Sequence, residues 1–308
     1  MRILITGGAG FIGSHIAEHF SNNAQVRVLD NLRSGYKKNI EPFGVEFIEG
    51  SVTDVQAVRK AVADVDYVFH LAAMISVPES MQKPQECVEI NAQGTLNVLQ
   101  ESANAGVKKF ILSSSAAIYG DNPVVPKLET MLPEPKSPYA VTKLDGEYYC
   151  KMFNDEGWLK TACLRYFNVF GPRQDPKSQY AAAIPIFIYK ALKNETITVF
   201  GDGQQSRDFI YVKDVVAANA YLAQHPEYSG VYNAAYGNSI TIEELARMII
   251  CATCSGSKIE YAPVRAGDVK HSKADISKLS KTGFTPGGNF AQGLEETIQY
   301  FRNIILFL

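Results

Sequence analysis

The sequence lacks a surplus of charge of either sign. Its 308 residues include 30 basic and 32 acidic side chains, which gives a formal net charge of −2. Proteins that bind nucleic acid usually carry a strong positive field that attracts the phosphate backbone. We therefore expect no nucleic-acid partner, and any positive patch must be local.

Long apolar runs are also missing. The apolar segment 304–308 is far shorter than the roughly 20 residues that a membrane-spanning helix needs. Met1 leads straight into residues 2–6, with no charged leader and no cleavage site after it. We expect a cytoplasmic protein with no membrane partner.

Cysteine is scarce, and the count of five is odd. An odd count does not suit a disulfide framework and favours a reducing compartment. Cys251 and Cys254 have the spacing of a redox or half-zinc motif, but no second Cys or His pair follows them. Because free cysteine is among the most buried residue types, we expect both thiols to be buried, and we predict no metal site.

Short apolar or β-branched runs alternate with helix-compatible stretches in the first part of the chain. This alternation predicts buried parallel strands in βαβ units, and so an α/β fold with a Rossmann-type doubly wound parallel sheet. Two capping boxes, Thr53–Gln56 and Thr241–Glu244, mark expected helix starts. The predicted strands are Ile3–Thr6, Gln25–Leu29, Val45–Ile48, Tyr67–Leu71, Phe110–Ser113 and Ala162–Tyr166.

The regular alternation weakens after Tyr166, where only Phe209–Val212 and Gly230–Asn233 resemble further strands. We expect a nucleotide-binding domain of residues 1–170 plus about 208–234. The rest, residues 171–207 plus 235–308, would form a smaller, discontinuous C-terminal substrate lobe. A cleft between two such lobes is where a small ligand binds.

Three glycines follow the first strand, at Gly7, Gly10 and Gly13. Such a turn lets the backbone approach a diphosphate while the next helix directs its positive end at the phosphates. The second run ends near Asp30, which is placed to accept hydrogen bonds from a ribose diol and to repel a 2′-phosphate. NAD is therefore favoured over NADP, although nearby Arg33 keeps NADP open.

A phenol and an ammonium lie one helical turn apart at Tyr139 and Lys143. The lysine charge stabilises a phenolate and makes the tyrosine a general base. The hydroxyls of Ser113–Ser115 end an apolar strand, at the sheet edge where α/β proteins bind ligands. Together these groups predict hydride transfer at an alcohol carbon.

These motifs, with His70–Ala73 and Arg165–Val169, resemble those of the extended short-chain dehydrogenases/reductases that act on nucleotide sugars. The resemblance covers about residues 1–300 and is greatest to the UDP-hexose 4-epimerases, in particular those of UDP-N-acetylglucosamine. It implies a tightly held NAD that takes hydride from sugar carbon 4 while Tyr139 accepts the hydroxyl proton. The 4-keto sugar then turns over and receives the hydride on its other face.

The resemblance also implies a role for each matching residue. The catalytic residues would be Ser115, Tyr139 and Lys143. The cofactor would contact Gly7, Gly10, Phe11, Ile12, Gly13, Asp30, Asn31, Arg33, Ser34, Gly35, Ser51, Val52, Leu71, Ala72, Ala73, Ser113, Tyr139, Lys143, Tyr166 and Phe167. The UDP-sugar would contact Ser76, Ser115, Asn168, Ala182, Val199, Phe200, Arg207, Arg265, Asp268 and Ser272.

Three positions separate this chain from relatives with other reactions or cofactor contacts. Dehydratases of the group hold an Asp-Glu pair where this chain has Ala116 and Ala117, and decarboxylases hold a Glu at the second position. Methyl groups transfer no proton, so epimerisation is favoured. Ser51 replaces an Asp found in many relatives, which would weaken adenine recognition.

The sugar is the least determined part of the hypothesis. Ser272 aligns with a position where glucose/galactose-only epimerases hold a tyrosine, which favours UDP-GlcNAc/UDP-GalNAc together with UDP-Glc/UDP-Gal. A strict UDP-glucose 4-epimerase, a UDP-glucuronate 4-epimerase and a 4-keto-sugar-nucleotide reductase stay open. A non-catalytic dinucleotide sensor is disfavoured because Ser115, Tyr139 and Lys143 are all present.

The resemblance further implies a homodimer through the helices near 88–104 and 139–156. Leu144, Tyr148 and Met152 form an apolar stripe at helical spacing on the second of these segments. That stripe could equally pack against the protein's own sheet.

Overall fold

Thirteen strands are present in the computed structural model, which describes residues 1–176, 182–264 and 269–306. They are β1 (Arg2–Thr6), β2 (Gln25–Asp30), β3 (Glu46–Glu49), β4 (Tyr67–His70), β5 (Lys109–Ser115), β6 (Thr161–Tyr166), β7 (Asn168–Phe170), β8 (Ile197–Phe200), β9 (Ser206–Arg207), β10 (Phe209–Tyr211), β11 (Gly230–Ala234), β12 (Ile240–Thr241) and β13 (Ile259–Ala262).

Seven of these strands form one parallel sheet in the order β11-β6-β5-β4-β1-β2-β3. The order reverses at β1, which is the arrangement of a doubly wound Rossmann-type sheet. Every strand predicted before residue 170 is present within one or two residues of its expected bounds. The predicted α/β fold class is therefore confirmed.

Eleven α-helices lie among the described residues. They are α1 (Phe11–Phe20), α2 (Val55–Val62), α3 (Val77–Gln82), α4 (Pro84–Val88), α5 (Gly94–Asn104), α6 (Pro138–Asp155), α7 (Ala183–Leu192), α8 (Val212–Gln224), α9 (Ile242–Thr253), α10 (Ser277–Ser280) and α11 (Phe290–Leu306). A π-helical turn at Glu89–Gln93 joins α4 to α5, and a 3₁₀ turn at Ala116–Tyr119 follows β5.

Helices cover both faces of the sheet because its strands are apolar on both sides. Along β1, Ile3 and Ile5 pack into a core with α1 and α8, whereas Leu4 between them packs into a core with α2, α5 and α6. All three side chains are fully buried. This alternation is the period of two expected for a strand buried on both faces.

The second half of the chain returns one strand to the sheet, because β11 pairs with β6 at the sheet edge. The strand predicted at Phe209–Val212 does not join it. It is β10, which pairs with β7 in a separate two-stranded unit, and Val212 already begins α8. A further core of α7, α9 and α11 lies beyond these strands.

One of the two predicted capping boxes is wrong and the other is confirmed. At the start of α2 the cap is Asp54, whose carboxylate accepts from the backbone N–H groups of Gln56 and Ala57. Thr53 instead hydrogen-bonds Ser51 at 2.8 Å. At α9, the Thr241 hydroxyl and the Glu244 carboxylate cap each other's backbone as predicted.

The expectation that Cys251 and Cys254 are buried is wrong, since both thiols are free and exposed. Helix α9 directs Leu245 and Ile249 into the core, which leaves Cys251 on the outer side. Cys254 ends the helix in a left-handed conformation. Within residues 1–176, 182–264 and 269–306, no group of three or more His, Cys, Asp or Glu could hold a metal ion, and no helix is long and apolar enough to span a membrane.

Candidate active site

The turn between β1 and α1 requires glycine at two positions. Gly7 has a φ of +70°, and a Cβ there would lie 2.7 Å from the backbone nitrogen of Ala72. A Cβ on Gly13 would lie 2.4 Å from the Gly7 carbonyl oxygen. Because both contacts are with backbone, side chains cannot be accommodated, and the start of α1 stays open to a phosphate.

A cavity of about 560 Å³ extends from this turn to Tyr139 and Lys143. Of the residues predicted to contact the cofactor, all but Phe167 line it. Phe167 is not among the lining residues and instead packs in a small cluster with Tyr119, Ala235 and Ala274. The cavity therefore unites segments that are far apart in sequence.

Asp30 closes β2 at the rim of this cavity. Its two carboxylate oxygens accept from the backbone N–H groups of Ala9 at 2.9 Å and Leu32 at 2.8 Å. Burial raises the pKa of Asp30, and these hydrogen bonds oppose that rise. The carboxylate is thus fixed in place, with lone pairs left for a further donor.

Arg33 lies nearby, but its guanidinium is held by two carboxylates. It donates to Glu79 at 2.8 Å and also to Glu86. Both interactions raise the pKa of Arg33 and leave its charge largely neutralised by neighbours on α3 and α4.

Tyr139 and Lys143 lie on the first turns of α6, which starts at Ser137 as the cap and Pro138 as the first helical residue. The Lys143 Nζ atom donates to the Ser113 carbonyl at 2.8 Å and lies 5.9 Å from the centre of the Tyr139 ring. Burial lowers the pKa of Lys143 to about 8. The lysine therefore links the helix to the end of β5.

Ser115 completes this group. Burial raises the pKa of Tyr139, and the neighbouring Ser115 hydroxyl opposes the rise. The Ser115 hydroxyl oxygen also accepts from the backbone N–H of Ala117 at 3.1 Å. Ser115, Tyr139 and Lys143 thus lie together at the carboxyl end of the sheet, but of the three only Tyr139 and Lys143 line the cavity.

A second cavity, of about 790 Å³, lies between β7, α7, β8 and β9. Asn168, Ala182, Phe200 and Arg207 line it, and Ala182 also lines the first cavity. The two cavities therefore adjoin, and side chains predicted to contact a UDP-sugar lie next to those predicted for the cofactor.

Other predicted substrate residues lie elsewhere. Val199 is fully buried in the core with α7 and α9. The Ser76 hydroxyl caps α3 by accepting from the Glu79 backbone. Ser272 is half-buried, and its backbone N–H donates to the Ser206 carbonyl at 3.0 Å. Arg265 and Asp268 lie outside the described residues.

Comparison with known proteins identifies the family of this chain. Residues 3–235 match the NAD dependent epimerase/dehydratase family. The chain belongs to that family. The motifs of the chain predicted a resemblance to nucleotide-sugar epimerases, and this prediction is confirmed.

Relatives match this epimerase/dehydratase family member over nearly its full length. The chain is 38% identical over 304 residues to a putative UDP-glucose 4-epimerase of Methanocaldococcus jannaschii, covering 98% of each chain. A solved UDP-N-acetylglucosamine 4-epimerase from Methanobrevibacter ruminantium M1, in complex with UDP-N-acetylmuramic acid, is 42% identical with a TM-score of 0.94, and 98% of each chain is covered. The UDP-glucose 4-epimerase of Thermotoga maritima with UDP-glucose is 40% identical with a TM-score of 0.93, covering 99% of this chain and all of that one.

Sequence reasoning missed Asn91, which links Met74 to Thr142 on α6 of this family member. Its amide group donates to the Met74 carbonyl and to the Thr142 hydroxyl, both at 3.1 Å, and its oxygen accepts from the Met74 N–H at 2.7 Å. Asn91 lies in the π-helical turn at Glu89–Gln93. An asparagine inside a long helical pattern was the available signal.

The segment Arg173–Asp175 was also missed, although it lines the first cavity. Tyr36, on the opposite rim, donates to the Asp175 carboxylate at 2.9 Å, and Arg173 pairs with Glu18 on α1. The Gly-Pro sequence before Arg173 indicated a loop, but nothing in it indicated which surface the loop would cover.

Proposed function

We propose that this protein is an NAD-dependent 4-epimerase of UDP-hexoses that interconverts UDP-GlcNAc and UDP-GalNAc, and UDP-Glc and UDP-Gal. The observation that carries the proposal is the position of Tyr139 and Lys143 on the wall of the first cavity, with Ser115 beside Tyr139 and a second cavity adjoining at Ala182. One cavity suits a dinucleotide and the other a nucleotide sugar.

The residues present fit NAD. The Gly7–Gly13 turn leaves room for a pyrophosphate at the start of α1, and Asp30 suits an adenosine ribose. Arg33 is already held by Glu79 and Glu86, so it is poorly placed to pair with a 2′-phosphate. Bound NAD would supply the acceptor for the hydride of sugar carbon 4 and its return to the other face of the 4-keto sugar.

The protein's own residues handle the proton. Tyr139 as the phenolate accepts the proton of the 4-hydroxyl group and later returns it. Lys143 stabilises the phenolate because an ammonium nearby lowers the pKa of a phenol. Ser115, whose hydroxyl opposes the rise that burial causes in the pKa of Tyr139, holds the 4-oxygen within reach.

The residues after Ser115 favour epimerisation over elimination. Ala116 and Ala117 begin the 3₁₀ turn at Ala116–Tyr119, next to the catalytic hydroxyl. A dehydration needs a further acid and base there, and methyl groups supply neither. Epimerisation needs only the base, the hydroxyl and the hydride acceptor.

Ser272 supports the wider choice of sugar. Its backbone is hydrogen-bonded to Ser206, directly before Arg207, which lines the second cavity. A small side chain at this place leaves room for a 2-acetamido group. We assign residues 171–207 and 235–308 to the sugar lobe, and residues 1–170 with about 208–234 to the NAD domain.

The test is an incubation of the purified protein, with nothing added, with UDP-GlcNAc, UDP-Gal or UDP-GlcA, followed by separation of the products. We expect epimers of the first two. Turnover of UDP-GlcA alone would overturn the substrate proposal. A requirement for added reduced nicotinamide, with its absorbance falling, would instead identify a 4-keto-sugar reductase.

We also propose a homodimer through the helices near 88–104 and 139–156. On α6, Tyr148 is 59% and Met152 is 42% exposed, and Val88 at the end of α4 is 50% exposed. The alternative, that this stripe faces the protein's own sheet, leaves these exposures unexplained. Sedimentation of the wild type and of Tyr148→Lys tests the proposal, because a charge at the interface should shift the population toward monomer.

A further inference from the structure

Asp208 joins β9 to β10, and its side chain is fully buried. One carboxylate oxygen accepts from the backbone N–H of Tyr236 and the other from that of Ala274, each at 3.1 Å. A buried carboxylate is costly unless hydrogen bonds compensate for the lost water. The structure around Asp208 must therefore hold the two backbone N–H groups in a fixed arrangement.

The Ala274 donor belongs to the segment that carries Ser272. The Ser272 N–H donates to the Ser206 carbonyl at 3.0 Å. Two hydrogen bonds, one on each side of Arg207, therefore fasten residues 272–274 alongside residues 206–208. The position of Ser272 relative to Arg207 depends on both.

The backbone of Asp208 holds Asn168 in the same way. The Asn168 backbone N–H and side-chain amide donate to the Asp208 carbonyl at 3.1 and 3.0 Å. Through its side-chain carboxylate and its backbone, Asp208 thus contacts the segments of three residues that we assign to the UDP-sugar: Asn168, Arg207 and Ser272.

The Tyr236 donor is fixed independently. Tyr236 follows β11, and its hydroxyl donates to Asp214 on α8, which also accepts from the Gly288 N–H at 2.9 Å. Asp208 is therefore tied on one side to the edge of the main sheet and on the other to the Ser272 segment. Burial raises the pKa of its carboxyl to about 6, against the opposing effect of these hydrogen bonds and of Lys273.

We propose that Asp208 is a positioning residue for the UDP-sugar, which fixes the Ser272 segment and Asn168 around Arg207 without contacting the reacting atoms. The proposal rests on the function proposed above. It predicts that loss of the carboxylate weakens the binding of the nucleotide sugar more than it slows the reaction of bound substrate.

The test compares Asp208→Asn with wild type and with Asp202→Asn. Asp202 is the matched control, because it is exposed in the same segment and its carboxylate also accepts a backbone N–H. In Asp208→Asn an amide NH₂ faces a backbone donor, so one hydrogen bond is lost. We expect the Kd for UDP, measured by calorimetry, and the KM for the UDP-sugar to rise about 10- to 100-fold. The kcat should change less than about threefold, and the NAD content should not change.

Two results would overturn the proposal: a Kd and KM in Asp208→Asn equal to those of the control, or a loss in kcat and NAD content as large as the rise in KM. Failure of wild type to bind UDP would instead reject the proposed function itself. If Asp208→Asn does not fold, hydrogen exchange of the wild type decides. UDP should slow exchange of the Ala274 and Tyr236 amides together, and an effect on neither, or on one alone, would reject the coupling.

Discussion

The cavity that we assign to the cofactor and the cavity that we assign to the sugar, here called the cofactor side and the sugar side, are built by different means. On the cofactor side, backbone shape determines the cavity, since Gly7 and Gly13 approach other backbone atoms too closely for any side chain. On the sugar side, Arg207 lies on a strand only two residues long, and hydrogen bonds to Asp208 hold Asn168 and the segment that carries Ser272. Long parallel strands support the first arrangement, whereas a few polar contacts support the second.

The difference teaches where each property of the enzyme can vary. A cavity made by backbone tolerates almost no change at its glycines but accepts many side chains around them. A cavity made by side chains on short elements can change its preference through single substitutions. We expect the chemistry and the cofactor to respond to changes near β1 and α6, and the choice of sugar to respond to changes near β9.

The largest effect is expected at the junction of the two sides. Tyr139→Phe removes the base and should lower kcat by about 100- to 10,000-fold with an unchanged NAD content. Tyr261→Phe is the control, since Tyr261 is exposed on β13. Turnover near the wild-type rate in Tyr139→Phe would show that another group accepts the proton.

A methyl group on the cofactor side should act on NAD and not on the sugar. In Gly13→Ala the new Cβ would meet the Gly7 carbonyl oxygen at 2.4 Å. Overpacking of this kind costs about 1–3 kcal/mol, so we expect NAD affinity to fall about 10- to 100-fold. The NAD released from denatured protein measures this, with Gly287→Ala, which has open space around it, as the control. Full NAD occupancy would contradict a cavity set by backbone shape.

A bulky side chain on the sugar side should discriminate between substrates. Ser272→Tyr should lower turnover of UDP-GlcNAc at least about tenfold while sparing UDP-Gal, because only the acetamido group needs the space. Turnover of both sugars is measured in parallel, with the exposed Ser280→Tyr as the control. Equal loss of the two activities would show that Ser272 does not select the sugar.

The smallest effect is the change in the free energy of unfolding with pH. We expect it to have opposite signs for a buried group on the cofactor side and a buried group on the sugar side. Burial lowers the pKa of His70, between Thr6 and Thr95, to about 3 from 6.5. The unfolded chain therefore binds more protons between these values, and the free energy of unfolding falls as pH drops below 6.5. Asp208, with a pKa raised from 3.8 to about 6, works the other way.

Urea unfolding at pH 7 and pH 5 measures these contributions, which are at most about 1.4 kcal/mol per pH unit for each group. His70→Gln should reduce the loss of stability at pH 5, whereas Asp208→Asn should increase it. The pKa of His15 is also lowered to about 3, so His15 changes the free energy of unfolding with pH in the same direction as His70. Its contribution is present in the wild type and in both variants. An equal change in the free energy of unfolding between pH 7 and pH 5 in the wild type and the two variants would show that neither group is linked to unfolding in this range.

Features with a local cause were predictable from sequence. The strands of the main sheet follow from apolar runs, and the turn at Gly7–Gly13 and the pair Tyr139 and Lys143 follow from spacing within one strand–helix unit or one helix. Each needs only neighbours a few residues away, so the pattern contains the information.

Features set by distant packing were not predictable. The structure places Val199 in a core while Phe200 lines the second cavity, and it separates Phe167 from Tyr166 in the same way. Adjacent residues of a strand point to opposite sides, and which side faces a cavity depends on the packing of distant segments. Asp208 gave no signal at all, because its partners are backbone N–H groups far along the chain.

The pairing of Arg33 with Glu79 and Glu86 has a consequence for redesign of the coenzyme preference. A substitution at Asp30 would remove the repulsion of a 2′-phosphate but would leave the Arg33 guanidinium bound to two carboxylates on α3 and α4. An engineered preference for NADP therefore has to begin on those helices, by freeing a cation that the fold already provides.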